Sequence, residues 1–461
     1  MKLLIRNGLL IDPASGVQAK LNLLLENGRV AAVTQAEPAA DRVIDAAGKV
    51  VCPGFLDIHM HEDPVEADGT LYADEEKAIF KCMLRMGVTT AVGGNCGDNA
   101  SHPADYLDIV DRDGAAVNVA MLAGHTFFRQ QAGCTDKYAP ASDAQIAQMA
   151  REIEESLARG CLGVSYGIRY VPGMDARELR LTAAPCKRDG RLVAAHIRSD
   201  AEEVFDAARE FLNAGMELGV PMQLSHIGSM AGFGQMERFL TLVDSYRVQG
   251  LNVGCDCYPY AAFSTGIGET TYDDGWLERY DCGYDVVELA EGKYKGQRCT
   301  KEIFEEMRRD FPACKTICYV MQQEDVDLAY QHPGVMLGSD GTLSEGQGHP
   351  RAAGTFPRLL GRYVRSGKLS LYDAVARMTA LPAQQLGLSR KGRLCVGADA
   401  DVVIFDPQTI DDCATFADPL LPPVGVEYVI VNGVVAAEDG KILCAAAGKS
   451  VRAESDSGGG F

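Results

Sequence analysis

Apolar positions along this chain follow two rhythms, and the change between them divides it. From 1 to 50, short apolar runs (Leu3-Leu4-Ile5, Leu21 to Leu25, Arg29 to Val33) are separated by Asn7-Gly8 and Asn27-Gly28. Such dipeptides between short runs are the punctuation of β-hairpins. The far end repeats the style, with Ala400 to Phe405, then Tyr428-Val429-Ile430-Val431 and the turn Asn432-Gly433. Two β-rich ends predict one small β-sandwich built from 1–50 and 391–450. The stretch 451–461, which closes on Ser-Asp-Ser-Gly-Gly-Gly-Phe, is expected to be a disordered tail.

Between the ends, apolar runs of strand length alternate with helix-length segments. Eight strands are predicted, at 55–61, 89–96, 118–125, 162–168, 192–198, 221–228, 252–258 and 335–341. Helices at 143–159 and 201–215 fill two of the gaps. Strand–helix alternation with eight strands predicts an α/β fold, a distorted (β/α)8 TIM barrel over 51–390. The interval 261–334 is too long for one crossover and predicts an insertion over the mouth of the barrel.

Composition narrows the function classes. The chain has 461 residues, 44 basic and 64 acidic, for a formal net charge of -20. That balance argues against nucleic acid or an anionic membrane as partner and leaves a small-molecule substrate. No run reaches the roughly 18 apolar residues of a membrane span, and no leader is visible after Met1. Fifteen cysteines without framework spacing read as free thiols in a reducing cytoplasm. A homo-oligomer is compatible with all of this.

The chemistry gathers at the strand ends. Residues i and i+2 of a strand share a face, so His59 and His61 point the same way. The other strand ends carry Cys96, His125, His196, His226 and Asp340. Five of the eight histidines fall at such ends, where a barrel of this kind keeps its active site. Side chains of this kind predict a metal site. Cys96 reads as a thiolate ligand or a buried thiol, and His125 as a pocket group or a packed core histidine. Asp340 reads as a turn cap or as a general base. The acids Glu62, Asp63, Glu66, Asp68, Asp74, Glu75 and Glu76 read as a solvated loop and helix start.

These residues, with Gly163-Val164-Ser165-Tyr166-Gly167, Tyr170-Val171-Pro172-Gly173, His196-Ile197-Arg198, Ser225-His226 and Gly338-Ser339-Asp340-Gly341, resemble the amidohydrolase superfamily. The resemblance is to its N-acyl-D-amino-acid deacylase (D-aminoacylase) branch and covers nearly the whole chain. His349-Pro350-Arg351 followed by Gly354-Thr355-Phe356-Pro357-Arg358 is specific to that branch. The resemblance implies a zinc-dependent hydrolase cleaving N-acyl-D-amino acids to a carboxylate and a free D-amino acid. It implies a tightly bound zinc on Cys96, His196 and His226, a second, weaker position at His59 and His61, and Asp340 as acid/base. Binuclear relatives that use a carboxylated lysine carry it on strand four, and 162–168 has no lysine.

One departure stands out. The family's run Ser-His-His-Lys is here Ser225-His226-Ile227-Gly228, without the lysine that helps hold the substrate carboxylate. Arg198, two residues after His196, is the expected substitute clamp, with a structural ion pair as its alternative. Tyr170, Tyr258 and Tyr260 are candidate pocket donors. Arg351 anchors substrate or orders its loop. A hydrolase of another C–N bond, in a cyclic amide or ureide, is the alternative activity, and a non-catalytic scaffold is a remoter one.

Overall fold

The eight apolar runs are eight parallel strands of one sheet in this computed structural model, which describes residues 2–344 and 346–453. They are β1 (Phe55–Asp57), β2 (Val88–Gly93), β3 (Asn118–Gly124), β4 (Gly163–Gly167), β5 (Leu192–His196), β6 (Met222–Leu224), β7 (Val253–Cys257) and β8 (Val335–Leu337). Each neighbours the next in chain order. The barrel is nearly closed: β1 and β8 share no ladder, but Met60 and Gly341 form a parallel bridge beyond their ends. Asp340 N donates to His59 O (2.7 Å) and His61 N to Gly341 O (2.9 Å) across that seam.

Both faces of each strand are buried, which is why the runs read as continuous rather than alternating. Leu56, Val92, Leu122, Leu192 and Met336 pack together as one apolar cluster. Their strand neighbours Phe55, Ala91, Val119 and Val193 pack in another, with helix residues such as Leu84, Leu107, Ile153 and Phe211. The helix Asp143–Ala158 opens on a capping box, Ser142 and Gln145 each satisfying the other's backbone N–H.

The β-rich ends form two sheets. One has four strands in the order Arg29–Thr34, Asn22–Glu26, Lys2–Arg6, Arg42–Asp45. The other has seven and mixes the two termini, with Val402–Phe405 antiparallel to Val50–Pro53 at the junction. Strand alternation then divides the work. Val51, Val402 and Ile404 pack with Leu3, Leu23 and Ile44 of the four-stranded sheet. Val50, Cys52, Val403 and Phe405 share a cluster with Phe55 and Leu84 of the barrel.

Two details differ from the sequence reading. Asn27-Gly28 and Asn432-Gly433 are hairpin turns with φ positive at both residues, but Asn7 (φ 65°) joins Lys2–Arg6 to a strand of the other sheet. Pairing partners far along the chain decide that, and a dipeptide carries no record of them. In the expected tail, 451–453 are held on the barrel, Val451 N donating to Val119 O (2.7 Å) and Ala453 N to Gly160 O (2.9 Å). The remainder, 454–461, lies outside the described residues.

The 261–334 interval contributes a three-stranded sheet of Phe263–Gly266, Lys315–Cys318 and Val287–Leu289. All fifteen cysteines are free thiols. Among the described residues no helix is long and apolar enough to cross a membrane.

Candidate active site

The ladders stop just short of the chemistry. His59 and His61 follow β1, Cys96 lies in a short turn after β2, His196 is the last residue of β5, His226 follows β6 and Asp340 follows β8. Released from the ladder, the chain turns sharply. Cys96 (φ 52°), His226 (φ 36°) and Asp340 (φ 50°) all adopt left-handed backbone that residues with a Cβ rarely take. Three such conformations in one site are a pattern of strain held by the surrounding fold.

Six side chains converge there. Cys96 Sγ lies 3.4 Å from His59 Nε2 and 3.3 Å from His226 Nε2. The rings of His196 and His226 have centroids 4.4 Å apart. Asp340 Oδ1 is 3.1 Å from His61 Nε2 and 3.6 Å from His59 Nε2. Within each of three sets the donor atoms lie within 4.8 Å of one another: His59-His61-Cys96, Cys96-His196-His226, and His59-His226-Asp340. Cys96 belongs to two of them.

The donor set suits a borderline-soft divalent cation, with sulfur and imidazole nitrogen supplied together. His196 Nδ1 is buried without a hydrogen-bond partner among the described residues, a cost that a bound cation relieves. The far sides of the rings are braced as in metal sites. Ser229 Oγ lies 3.0 Å from His226 Nδ1, and Asp256 Oδ1 makes a 3.2 Å ionic contact with His59 Nδ1. Asp256 also accepts from His226 N (2.8 Å) and Gln223 Nε2 (2.7 Å).

Burial disfavours charge throughout, and the neighbours decide the outcome. It would raise the Cys96 thiol, yet the charges of His59 and His226 hold it well below its ordinary value. It would raise Asp340 too, but the Arg351 guanidinium and the hydrogen bond to His61 hold that carboxyl well below the usual range. Burial and the charge of His226 push His196 down to about 4. The site therefore offers a thiolate, a carboxylate and a neutral imidazole.

A cavity of about 610 Å³ opens over these groups and is lined by His61, Cys96, His196, His226, Asp340, Tyr170, Tyr258 and Arg351. Phe263, Thr265, Glu269, Tyr280 and Lys315 of the long insertion form part of its wall. Arg351 is buried, with Nη1 2.8 Å from Asp340 Oδ2 and its guanidinium carbon 4.7 Å from the Tyr258 ring centroid. His349 sets its backbone, Nδ1 accepting from Arg351 N (3.1 Å) while Nε2 lies 3.1 Å from Ala262 O.

Arg198 is not the expected clamp but its alternative, a structural ion pair. It is outside the cavity lining, gripped by Glu210 through two 2.7 Å bonds and by the carbonyls of Pro172 and Met174. The i, i+2 rule fails because β5 ends at His196. A Cβ at Gly228 would meet Cys257 Sγ at 3.0 Å and Met321 Cε at 3.2 Å, neither of which lines the cavity. His125 stands apart from the cluster, paired with buried Glu178 at 3.0 Å.

Asp256 and Glu62 escaped the sequence reading. The available signal for Asp256 was a lone acid inside the buried run Val253–Cys257. Glu62 was grouped with solvated acids, but here it accepts from Gly94 N (2.7 Å) and Ala100 N (3.0 Å).

Comparisons with known proteins concern the chain as a whole. The model of the amidohydrolase family matches residues 321–437. The chain is 34% identical to N-acyl-D-glutamate deacylase of Alcaligenes xylosoxydans xylosoxydans, over 94% of this chain and 93% of the relative. It is 33% identical to D-aminoacylase of the same organism, with the same coverage. A crystal structure of N-acyl-D-glutamate deacylase from Bordetella bronchiseptica, complexed with zinc and a phosphonate mimic of the tetrahedral intermediate, superposes with a TM-score of 0.85. It is 31% identical and covers 98% of this chain and 99% of its own. A crystal structure of D-aminoacylase gives a TM-score of 0.88 at 29% identity, with the same coverage. The chain belongs to the amidohydrolase family, in the branch of the N-acyl-D-amino-acid deacylases.

Proposed function

We propose that this chain is a zinc-dependent deacylase that hydrolyses the amide of N-acyl-D-amino acids to a carboxylate and a free D-amino acid. The observation that carries the reading is the place of Cys96, within 3.4 Å of His59 and 3.3 Å of His226, with Asp340 beside it on the cavity wall. Cys96, His196 and His226 would hold one ion tightly, and His59 and His61 would share Cys96 for a weaker second position. Bound there, zinc supplies Lewis acidity toward the scissile carbonyl and lowers the pKa of water toward about 7.

The residues around it do the rest. Asp340, held ionised by Arg351 and His61, takes the proton of the attacking water and returns it to the departing nitrogen. One carboxylate can do both because it faces both from the end of β8. Burial pushes the Tyr170 phenol well above its ordinary value, so it keeps its proton and donates to the carbonyl oxygen. Arg351 carries Nε without a partner among the described residues, and its fork suits the substrate carboxylate. The Tyr258 ring lies under that guanidinium, its centroid 4.7 Å from the guanidinium carbon.

The test is amine release from N-acetyl- and N-formyl-D-amino acids and their L counterparts, on zinc-loaded protein. Turnover of D forms with L forms silent is expected. Silence across the panel, with zinc verified as bound, overturns the substrate assignment and leaves another C–N bond as the target.

A further inference from the structure

We infer that Glu62 is a positioning residue that sets the Cys96 sulfur between the two groups of imidazoles. The inference rests on the reading of Cys96 as a metal ligand given above.

The turn from Gly94 to Ala100 carries Cys96 in left-handed backbone (φ 52°), a conformation that a cysteine does not hold unaided. Glu62 closes this turn like a staple. Its Oε2 accepts from Gly94 N at 2.7 Å, where the turn begins, and its Oε1 from Ala100 N at 3.0 Å, where it ends. Asn99 Nδ2 adds a 3.4 Å bond to the same oxygen. Bonds from backbone N–H to a carboxylate are among the stronger protein hydrogen bonds.

Glu62 also directly follows His61. The carboxylate therefore ties the Cys96 turn to the segment that carries His59 and His61. Asn95 makes a second tie, but at 3.4 and 3.5 Å to the carbonyls of Ile58 and Met60. Cys96 Sγ itself contacts His59 Nε2 (3.4 Å), while Asn99 Oδ1 accepts from Gly124 N of β3 (2.7 Å) and Gly97 N donates to Ser165 Oγ of β4 (3.0 Å). Glycine leaves the room this needs: a Cβ on Gly93 would lie 2.6 Å from Glu62 Oε2. The motif Gly93-Gly94-Asn95-Cys96-Gly97 and the acid at 62 are thus one device.

The experiment is a double-substitution cycle on the full-length protein reconstituted with cobalt(II), a spectroscopic stand-in whose bond to thiolate gives a charge-transfer absorption. Glu62→Gln keeps the shape but turns an N–H₂ group toward the backbone donors. It is expected to weaken the thiolate band and to lower cobalt affinity by about 10- to 100-fold, the usual range for residues that orient ligands. Against Cys96→Ala, which removes the band, Glu62→Gln is expected to add less than twofold, because the two changes act through one sulfur. An unchanged band and affinity in Glu62→Gln, or an equal loss with and without Cys96, overturns the inference. If Glu62→Gln does not fold, the shorter Glu62→Asp enters the same cycle under the same criteria. A wild-type cobalt protein without a thiolate band would instead overturn the Cys96 ligand reading itself, so the two failures are distinguishable.

Discussion

Asp340 and Asp256 show how one residue type serves two ends at opposite sides of a ring. Asp340 faces the cavity and contacts the Nε2 atoms of His59 and His61. Asp256 lies behind, against His59 Nδ1 and the backbone of His226. Asp340→Asn is therefore expected to keep its metal while turnover falls by about 10²- to 10⁴-fold, the usual contribution of a general acid–base. Metal analysis beside steady-state rates checks it, and turnover near wild type removes Asp340 as the base. Asp256→Asn is expected to bind zinc about 10- to 100-fold more weakly, measured by competition with a chromophoric chelator; unchanged affinity would show that His59 needs no support. The histidines were legible because only eight occur and five fall at predicted strand ends, and Cys96, one of fifteen cysteines, because it shares that position. Asp256 and Glu62 were not, because acids are common and their role depends on which backbone groups fold against them. The clamp expected of Arg198 gave way to the ion-pair alternative because strand alternation was extended past the last laddered residue, His196.

At the scale of elements, strand periodicity foretells the barrel and its order, while the partners of the terminal strands stay hidden until the chain closes on itself. Phe405 shows what that closure contributes. It comes from the C-terminal part of the seven-stranded sheet, is fully buried, and its ring centroid lies 6.4 Å from that of Phe55 in β1. Phe55 in turn stacks on Phe356 at 5.7 Å. Phe405→Ala is expected to cost about 3–5 kcal/mol, as for other large aromatic truncations in a core. Denaturant unfolding should show a lower midpoint. A midpoint within error of wild type would mean that the sheet and barrel do not depend on this contact. The hairpins at Asn27-Gly28 and Asn432-Gly433 were readable because the turn itself demands those residues.

Taken whole, the molecule gathers its site from segments spread between His59 and Arg351, and only the barrel brings them together. A nearly closed set of parallel strands delivers every strand end to one face, and the long insertion walls the cavity above it. The composite site makes the metal reading a claim about the entire fold, and metal removal tests it most directly. The measurement is amine release from an N-acetyl-D-amino acid by protein stripped with a chelator and then titrated with zinc, with zinc content followed by elemental analysis. Activity is predicted to vanish with the zinc and to return as about one equivalent is restored to the Cys96-His196-His226 set. Undiminished turnover by protein shown to be free of metal would contradict the account.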